Sequence, residues 1–417
     1  MSGSLTDDAL LDLVQRQTLR YFWDFGHPVS GMARERSNPV AGYDYLDTVT
    51  TGGTGFGLMA MLAGTSRGFI PHRDVLSRVT QIVDFLTRVE RYHGVFPHFL
   101  HGATGATIPF SRRDDGGDLV ETAFLIAGLL CARQHFGATS SDETKLRAGI
   151  DKLWHAVEWN WHTQGRDVLY WHWSPHHQWA MNHAITGWNE CLITYVLAAA
   201  SPTHPIAPEV YHRGWTASPV FRNGQSYHGI ELPLGPPFGG PLFFAHYSFL
   251  GLDPRGLRDR YADYWAQNRA HAMINRAYCI ANPHGFADYG PKCWGLTACD
   301  GDAGYNAFSP TNDRGVIAPT AALASIPYTP AESMTALRYF YEMLGEDIWR
   351  ECGFADGFNR TKDWVAPSHL AIDQGPVVAM IENHRSGLLW DLFMQCEEVR
   401  IGLRRLGFDS PRFGEVA

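Results

Sequence analysis

The sequence lacks the features of several large protein classes. Its 417 residues carry a formal net charge of −9 and contain no basic stripe, which argues against a nucleic-acid partner. No uncharged apolar stretch reaches the roughly 18 residues that a membrane span requires, so we expect no transmembrane helix. The first residues carry neither a basic segment nor a long apolar core, so they do not form a signal peptide. The compartment stays open: cytoplasmic for the sequence as it stands, periplasmic or secreted if a leader precedes it.

Disulfide, metal and nucleotide signatures are missing as well. The seven cysteines have no CxxC spacing and are odd in number, so we expect buried thiols. His172, His176 and His177 could ligate zinc, but no helical HExxH frame surrounds them. The glycine-rich run at 52–57 resembles a phosphate loop, but no Lys-Ser/Thr follows it, which favours close helix packing. We therefore expect no metal site.

Strand signals are scarce. Alternating runs occur only near 227–234 and 168–173, where we predict short hairpins. Six segments instead join a small or polar lead-in to a short apolar helix, which is typical of buried helices. These segments are 52–64, 116–131, 186–200, 241–252, 315–326 and 374–390. More amphipathic stretches alternate with them at 7–24, 73–91, 142–158, 255–279 and 330–345, with a weaker one near 207–215.

This alternation predicts an all-α fold in which two concentric rings of helices form an (α/α)6 barrel. The apolar helices would form the inner ring, and their N-terminal lead-ins would meet at one end as a cleft. No linker or low-complexity segment divides the chain, so we predict one domain over residues 1–417. An irregular α-domain without a central cleft is the alternative.

The densest charge cluster lies at the start of one predicted inner helix. Asp114, Asp115, Asp118 and Glu121 fall within eight residues, and an uncharged apolar run follows. Asp118 and Glu121 are three residues apart, so on a helix they share a face. The cluster fits a general acid/base site at the mouth of a buried helix. It also fits capping, with Asp114 or Asp115 as the cap while Asp118 and Glu121 face the cleft.

Two further carboxylates occupy comparable positions. Glu190 is the only charged side chain in residues 168–208, and an apolar helix follows it. Burial there would raise its pKa and suit it to general acid catalysis, although a capping-box glutamate would also fit. Asp373 precedes the last predicted inner helix and is either a cleft acid or a cap. Glu382 could pair with Arg385, and we favour a structural role for it.

Aromatic residues are in excess, with 14 Trp, 17 Tyr and 23 Phe besides 20 His. Many lie in loops at 93–105, 169–183 and 286–313. Flat rings stack on sugars and polar tips bond hydroxyls, so these loops favour a carbohydrate cleft. We predict that the sugar is bound by Glu121, Trp171, Trp173, Trp188, His183 and Tyr305. Carboxylates in such a cleft indicate glycoside hydrolysis by a pair of acids.

Long runs of the chain resemble glycoside hydrolase family 144, the glucoamylase-like bacterial endo-β-1,2-glucanases, which has relatives within cyclic β-1,2-glucan synthases. The resemblance extends over nearly the whole chain and includes YFWDFGHPVSGMARERS (21–37), IPFSRRDDGGDLVETAFL (108–125) and AIDQGPVVAMIENHRSGLLWDLF (371–393). It implies an (α/α)6 barrel without an obligatory cofactor that hydrolyses β-1,2-glucan to sophoro-oligosaccharides. Known relatives are often exported, whereas this sequence shows no export signal.

The resemblance places the family's cleft acids on Asp114, Asp118, Glu121, Glu190 and Asp373. We predict Glu190 as the general acid and rank Asp118, Asp114 and then Asp373 as the base, with inversion of the anomeric configuration. An exo-acting, sophorose-releasing enzyme or a transglycosylase would use the same acids. A non-catalytic carbohydrate-binding protein is the alternative from another class, but a binding cleft has no need for buried charges. We expect a monomer or weak oligomer.

Overall fold

The computed structural model of the chain describes residues 5–40, 44–138 and 140–413. Residues 1–4, part of the segment in which we predicted no export signal, lie outside these ranges, as do the extreme ends of the predicted domain. The prediction that residues 1–417 form one domain therefore stays a prediction. Among the described residues, no helix is long and apolar enough to cross a membrane.

The described residues form thirteen α-helices, named here in chain order. They are α1 (Asp7–Trp23), α2 (Thr51–Ser66), α3 (His72–Leu86), α4 (Leu119–His135), α5 (Ser141–His155), α6 (Leu192–Ala200), α7 (Tyr264–Ala281), α8 (Pro319–Ala324), α9 (Pro330–Arg338), α10 (Gly345–Ile348), α11 (Ala371–Arg385), α12 (Leu388–Met394) and α13 (Glu397–Arg405). Two π-helical segments add to these, Val210–Trp215 and Tyr339–Met343, as do 3-10 turns that include Leu242–Ala245 and Tyr247–Phe249.

The strands are short and pair locally. They are β1 (Thr48–Thr50), β2 (Phe99–His101), β3 (Thr107–Ile108), β4 (Gly117–Asp118), β5 (His172–Trp173), β6 (Arg222–Tyr227), β7 (Ile230–Leu234), β8 (Ala298–Gly301), β9 (Gly304–Ala307), β10 (Trp349–Arg350), β11 (Gly353–Phe354), β12 (Phe358–Asn359) and β13 (Trp364–Val365). β1, β2 and β3 form a three-stranded antiparallel sheet, in which Thr48 lies opposite His101. The remaining strands form antiparallel pairs, including the predicted hairpin, β6–β7.

The helices form two concentric rings, which confirms the predicted (α/α)6 barrel. In the inner ring α2 packs on α4, α4 on α6, and α11 on both α8 and α2. The 3-10 turns at 242–249 stand in the inner ring between α6 and α8 in chain order. The outer ring contains α1, α3, α5, the π-helical segment at 210–215, α7 and α9. Near the ends of α4 and α6, α12 and α13 cover the far end of the barrel.

Close contact between α2 and α4 explains the glycine-rich run. A Cβ atom on Gly55 would lie 2.2 Å from the carbonyl oxygen of Phe124, and one on Gly128 would lie 2.2 Å from that of Gly55. Both helices therefore need glycine at the point where their backbones meet. Helix packing, not phosphate binding, accounts for this run, as predicted.

Three local predictions were wrong. Residues 241–252 form 3-10 turns instead of an α-helix, because the backbone at His246 (φ −110°, ψ −58°) departs from helical geometry. The strand at 172–173 pairs with β4, not within a local hairpin. Glu382 has the structural role that we favoured, but it binds Arg67 at 2.7 Å and not Arg385, which binds Asp8 and Asp12 from α1.

Candidate active site

A cavity of about 710 Å³ opens at one end of the barrel. Thr50 caps α2, Glu121 lies in the first turn of α4, Glu190 precedes α6 and Ile372 lies in the first turn of α11. All four line the cavity. The predicted meeting of inner-helix N-termini at one cleft is therefore observed for these four helices.

The cavity joins aromatic walls to charged groups. Its aromatic lining comprises Phe99, Phe110, Phe124, Trp171, Phe243, Tyr247 and Tyr305, and its charged or titratable lining comprises Glu35, Arg36, His98, Glu121 and Glu190. Phe110 and Tyr305 are 56% and 51% exposed, so their rings are open to a ligand. Flat apolar faces beside hydrogen-bonding groups suit a sugar chain.

Asp118 is fully buried beneath this cavity and its oxygens are saturated with donors. Oδ1 accepts the backbone N–H groups of Val120 at 3.0 Å and Glu121 at 2.9 Å, and the indole N–H of Trp171 at 3.0 Å. Oδ2 lies 2.9 Å from Nδ1 of His98. Asp118, not Asp114 or Asp115, is therefore the N-cap of α4.

Two histidines stabilise the negative charge of Asp118. Burial alone would raise the pKa of Asp118, but hydrogen bonds from His172 and His98 hold it well below its usual range. Burial lowers the pKa of each histidine, yet the neighbouring carboxylates raise it to about 9 for His98 and about 10 for His172. At neutral pH this cluster therefore contains two imidazolium ions around an ionised aspartate.

Asp114 and Asp115 complete the cluster from the preceding loop. Asp114 is buried, and its Oδ2 lies 3.1 Å from Nε2 of His172. Asp115 accepts the hydroxyl hydrogen of Ser174 at 2.5 Å and contacts Nδ1 of His176 at 2.7 Å. Both aspartates thus tie the start of α4 to the loop that carries β5.

The same cluster is the group of described residues best placed to hold a metal ion. Ligand atoms of His98, Asp114 and Asp118 lie within 4.8 Å of one another. Nδ1 of His98 lies 2.9 Å and Nε2 of His172 lies 3.6 Å from Oδ2 of Asp118. The side chains thus form an ion-pair network, in which the two histidines face the negative charge of the aspartates.

Glu121 faces the cavity from the first turn of α4. Its Oε2 accepts the backbone N–H of Gly52 at 2.7 Å, and a Cβ atom at Gly52 would lie 2.6 Å from that oxygen. Burial and the charge of Asp118 raise the pKa of Glu121. Only a glycine lets α2 approach this carboxyl group so closely.

Glu190 lies in the turn before α6 and lines the cavity. Burial raises its pKa to about 7, with smaller contributions from the charges of Glu121 and Asp118. Its backbone carbonyl accepts the hydroxyl hydrogen of Ser248 at 2.5 Å, which fixes the turn. A half-buried carboxyl group that carries a proton near neutral pH is suited to donate that proton.

Asp373 lies in the first turn of α11, behind Tyr247, and is not the cap of that helix, since Leu370 occupies the cap position. The hydroxyl of Tyr247 donates to Oδ1 at 3.2 Å. A side-chain hydrogen bond joins Asp373 to Asp356, which is fully buried. Burial raises the pKa of Asp373 to about 7, against the lowering effect of these two hydrogen bonds.

The predicted sugar-binding residues fall into three groups. Trp171 and Tyr305 line the cavity together with Glu121. His183 is exposed and stacks on Trp171, with ring centroids 5.1 Å apart, whereas Trp173 packs on His93 outside the cavity lining. Trp188 needs a correction: it is 2% exposed and packs in the core, so its ring is not available to a sugar.

Several residues of the site were not among the predicted site residues. Arg36 lines the cavity and binds Asp300 at 2.9 Å. His98 contacts Asp118, and the hydroxyl of Tyr247 donates to Asp373. Arg36 lies in one of the runs used for the family resemblance, and His98 lies in an aromatic loop that we noted. Asp356 gave no signal, because a single aspartate in a loop is common.

Fold and site together define an (α/α)6-barrel protein with an acidic, aromatic-lined cavity. A family model described as "Putative glucoamylase" matches residues 182–397. The chain is 58% identical to a crystal structure described as a putative glucoamylase from Bacteroides uniformis, with a TM-score of 0.96 over 99% of this chain and 100% of that one. The chain therefore belongs to this glucoamylase-like family.

Two further relatives have more specific names. The structure of an endo-β-1,2-glucanase from Chitinophaga pinensis, in complex with sophorotriose and glucose, is 51% identical with a TM-score of 0.95 and covers 98% of this chain and 100% of that one. An exo β-1,2-glucooligosaccharide sophorohydrolase (non-reducing end) from Parabacteroides distasonis is 45% identical over 424 residues, which include 96% of this chain. The chain spans 58% of the length of that curated relative.

Proposed function

We propose that the protein hydrolyses β-1,2-glucan as an endo-acting enzyme of glycoside hydrolase family 144. The observation that carries this proposal is Glu190, a proton-bearing carboxyl group at an aromatic-lined cavity that contains further carboxylates. The names of the relatives from Chitinophaga pinensis and Parabacteroides distasonis support β-1,2-linked glucose as the substrate. The substrate partner is a sophoro-oligosaccharide or a longer linear glucan.

In the proposed reaction Glu190 acts as the general acid and Asp373 as the general base. Glu190 gives its proton to the glycosidic oxygen as the bond from that oxygen to the anomeric carbon breaks. A water molecule forms the new bond to the anomeric carbon, and its proton passes to Asp373. Single displacement by water inverts the anomeric configuration, and proton exchange with solvent restores both carboxyl groups.

Asp373 is preferred as the base over the two acids that we ranked ahead of it. Asp118 has donors on both oxygens and a pKa held low, so it has little tendency to accept a proton. Asp114 is buried and bound to His172. Asp373 has a pKa near neutrality, where a base works best. We assign Asp118 and Asp114 to organising the site instead.

The substrate and the mode of attack are tested by incubating the purified protein with linear β-1,2-, β-1,4- and α-1,4-glucans. Cleavage of the β-1,2-glucan alone, with an early ladder of sophoro-oligosaccharides, would support the proposal. Failure to cut β-1,2-glucan, or cleavage of the other glucans at a similar rate, would contradict it.

Exo action is the second candidate, favoured by the name of the Parabacteroides distasonis relative. An exo enzyme releases a single disaccharide from the first minutes, while the average length of the polymer falls slowly. Lengthened or cyclic products would indicate transfer to a sugar acceptor. Size analysis of the same time course therefore separates the three modes.

A further inference from the structure

Asp356 lies behind the cavity and has no part in the reaction as described above. It is fully buried in the loop between β11 and β12. Its Oδ2 accepts the backbone N–H of Asp300 at 2.6 Å, and its own N–H donates to the carbonyl of Ser368 at 3.0 Å. The carboxyl group is thus fixed at the base of the site by backbone on two sides.

Asp356 and Asp373 each have one buried carboxyl oxygen that lacks a hydrogen-bond donor in the described part of the chain. Among the described residues, neither Oδ1 of Asp356 nor Oδ2 of Asp373 receives a hydrogen from an N–H or hydroxyl donor. The two carboxyl groups lie within hydrogen-bonding reach, since each one shifts the pKa of the other. Burial strongly disfavours two neighbouring negative charges, so a proton shared between these groups would satisfy both free oxygens.

Among the described residues, the charges of two acids, Asp300 and Glu35, act on the pair. The guanidinium of Arg36 is bound by these same two acids. The titratable and charged groups that surround the pair are Tyr21, Glu35, Arg36, Tyr247, Cys299, Asp300 and Tyr305. The acids in this set disfavour a second negative charge at the pair.

Asp356 is the member that keeps the proton. It is 0% exposed, against 4% for Asp373, and it accepts a single backbone N–H. Asp373 accepts the hydroxyl of Tyr247 from the cavity side. Burial accordingly raises the pKa of Asp356 well above its usual range, whereas that of Asp373 rises only to about 7.

We propose that Asp356 is a positioning residue, which stays protonated and donates its hydrogen to Asp373. Asp373 then accepts hydrogen bonds from two donors, Asp356 on the protein side and Tyr247 on the cavity side. These two hydrogen bonds fix the orientation of the Asp373 carboxylate and stabilise its negative charge. This inference rests on the proposed role of Asp373 as the base.

Two substitutions separate this role from its alternatives. In Asp356→Asn the amide oxygen can accept the N–H of Asp300 and the amide nitrogen can donate to Asp373, so both hydrogen bonds survive. In Asp356→Leu the side chain has a similar volume and no donor. We expect kcat/KM within roughly tenfold of wild type for the asparagine variant and a loss of about 10- to 100-fold for the leucine variant.

The pH profile gives a readout that a purely structural role would not move. Without its donor the Asp373 carboxylate is less stable, so the acid limb of kcat/KM should move to higher pH in Asp356→Leu and stay in place in Asp356→Asn. Equal losses in the two variants would mean that Asp356 acts as an ionised acceptor, which overturns the proposal. A leucine variant with wild-type activity and profile would overturn it as well.

Infrared spectroscopy tests, without any substrate, whether Asp356 is protonated. At about pH 9 the wild-type protein should keep the carbonyl band of a neutral carboxylic acid, and this band should be absent from Asp356→Asn. If the leucine variant does not fold, this comparison and the asparagine kinetics still decide the question. A missing band would overturn the inference while leaving β-1,2-glucan hydrolysis intact. If the band is present but the protein does not cut β-1,2-glucan, the proposed function is contradicted and the protonation of Asp356 is not.

Discussion

The substitution Glu190→Gln removes the proton that the proposed reaction needs and keeps the size of the side chain. General acid catalysis contributes about 10²- to 10⁴-fold to such reactions, so we expect kcat on linear β-1,2-glucan to fall by that factor. An activated aryl β-sophoroside has a leaving group that needs no protonation. Its hydrolysis by the variant should therefore fall far less.

The structure also predicts the effect of this substitution on stability. The pKa of Glu190 is about 7 in the folded protein, against an ordinary value of 4.5. The ionised carboxylate therefore costs the fold up to about 3 kcal/mol; this cost is nearly absent below pH 4.5, grows between pH 4.5 and 7, and stays constant above pH 7. Glutamine cannot ionise, so the variant should match the wild type in Tm at pH 4 and exceed it at pH 9.

Activity assays on both substrates, together with thermal unfolding at the two pH values, check this prediction. The exposed Glu209 provides a matched control, since Glu209→Gln makes the same chemical change away from the cavity. Activity of Glu190→Gln within tenfold of wild type on the glucan would remove Glu190 from the acid role. A lower Tm than wild type at pH 9 would show that the ionised Glu190 carboxylate does not destabilise the fold.

Three further outcomes follow from the same site. Asp373→Asn should hydrolyse the glucan about 10²-fold more slowly than wild type, or slower still. Added azide should restore turnover by replacing water, with an inverted glycosyl azide as the product. A variant with wild-type rates would exclude Asp373 as the base. Because the pKa values of Glu190 and Asp373 are both about 7, kcat/KM should form a narrow bell centred near pH 7, and a broad plateau would contradict this assignment. The pKa of His172 is raised to about 10, so its stabilising effect on Asp118 is full below pH 6.5 and is lost as the pH rises through 10. His172→Gln should accordingly lower the Tm at pH 6 and flatten the fall in Tm between pH 8 and 10; parallel Tm curves for variant and wild type would show that the ion pair does not stabilise the fold.

Much of this architecture could be predicted because it depends on local pattern. Apolar runs that follow small residues predicted the positions of α2, α4 and α11. Glu190 could be predicted as a site residue because it is the one charge in a long uncharged segment, and such a residue must be paired, protonated or functional. Residues 241–252 have a similar composition, but the backbone breaks at His246 into 3-10 turns, which composition does not report.

The roles within the acid cluster could not be predicted, because they depend on distant segments. Asp118 looks like a base beside a helix, yet His98 and His172 approach it from two separate loops and hold its charge. Asp373 gains its hydrogen-bonding partner from Asp356, which lies in a loop with no distinctive pattern. Tertiary contacts of this kind decide whether an acid donates a proton, accepts one or only supports the others.

NMR of the anomeric protons of the products, during the first minutes of linear β-1,2-glucan hydrolysis, tests the inverting reaction directly. We expect sophoro-oligosaccharides whose new reducing ends appear first as the α-anomer and then equilibrate. New reducing ends that appear first as the β-anomer would contradict single displacement by water with Glu190 and Asp373 as the pair. An absence of cleavage would contradict the proposed activity itself.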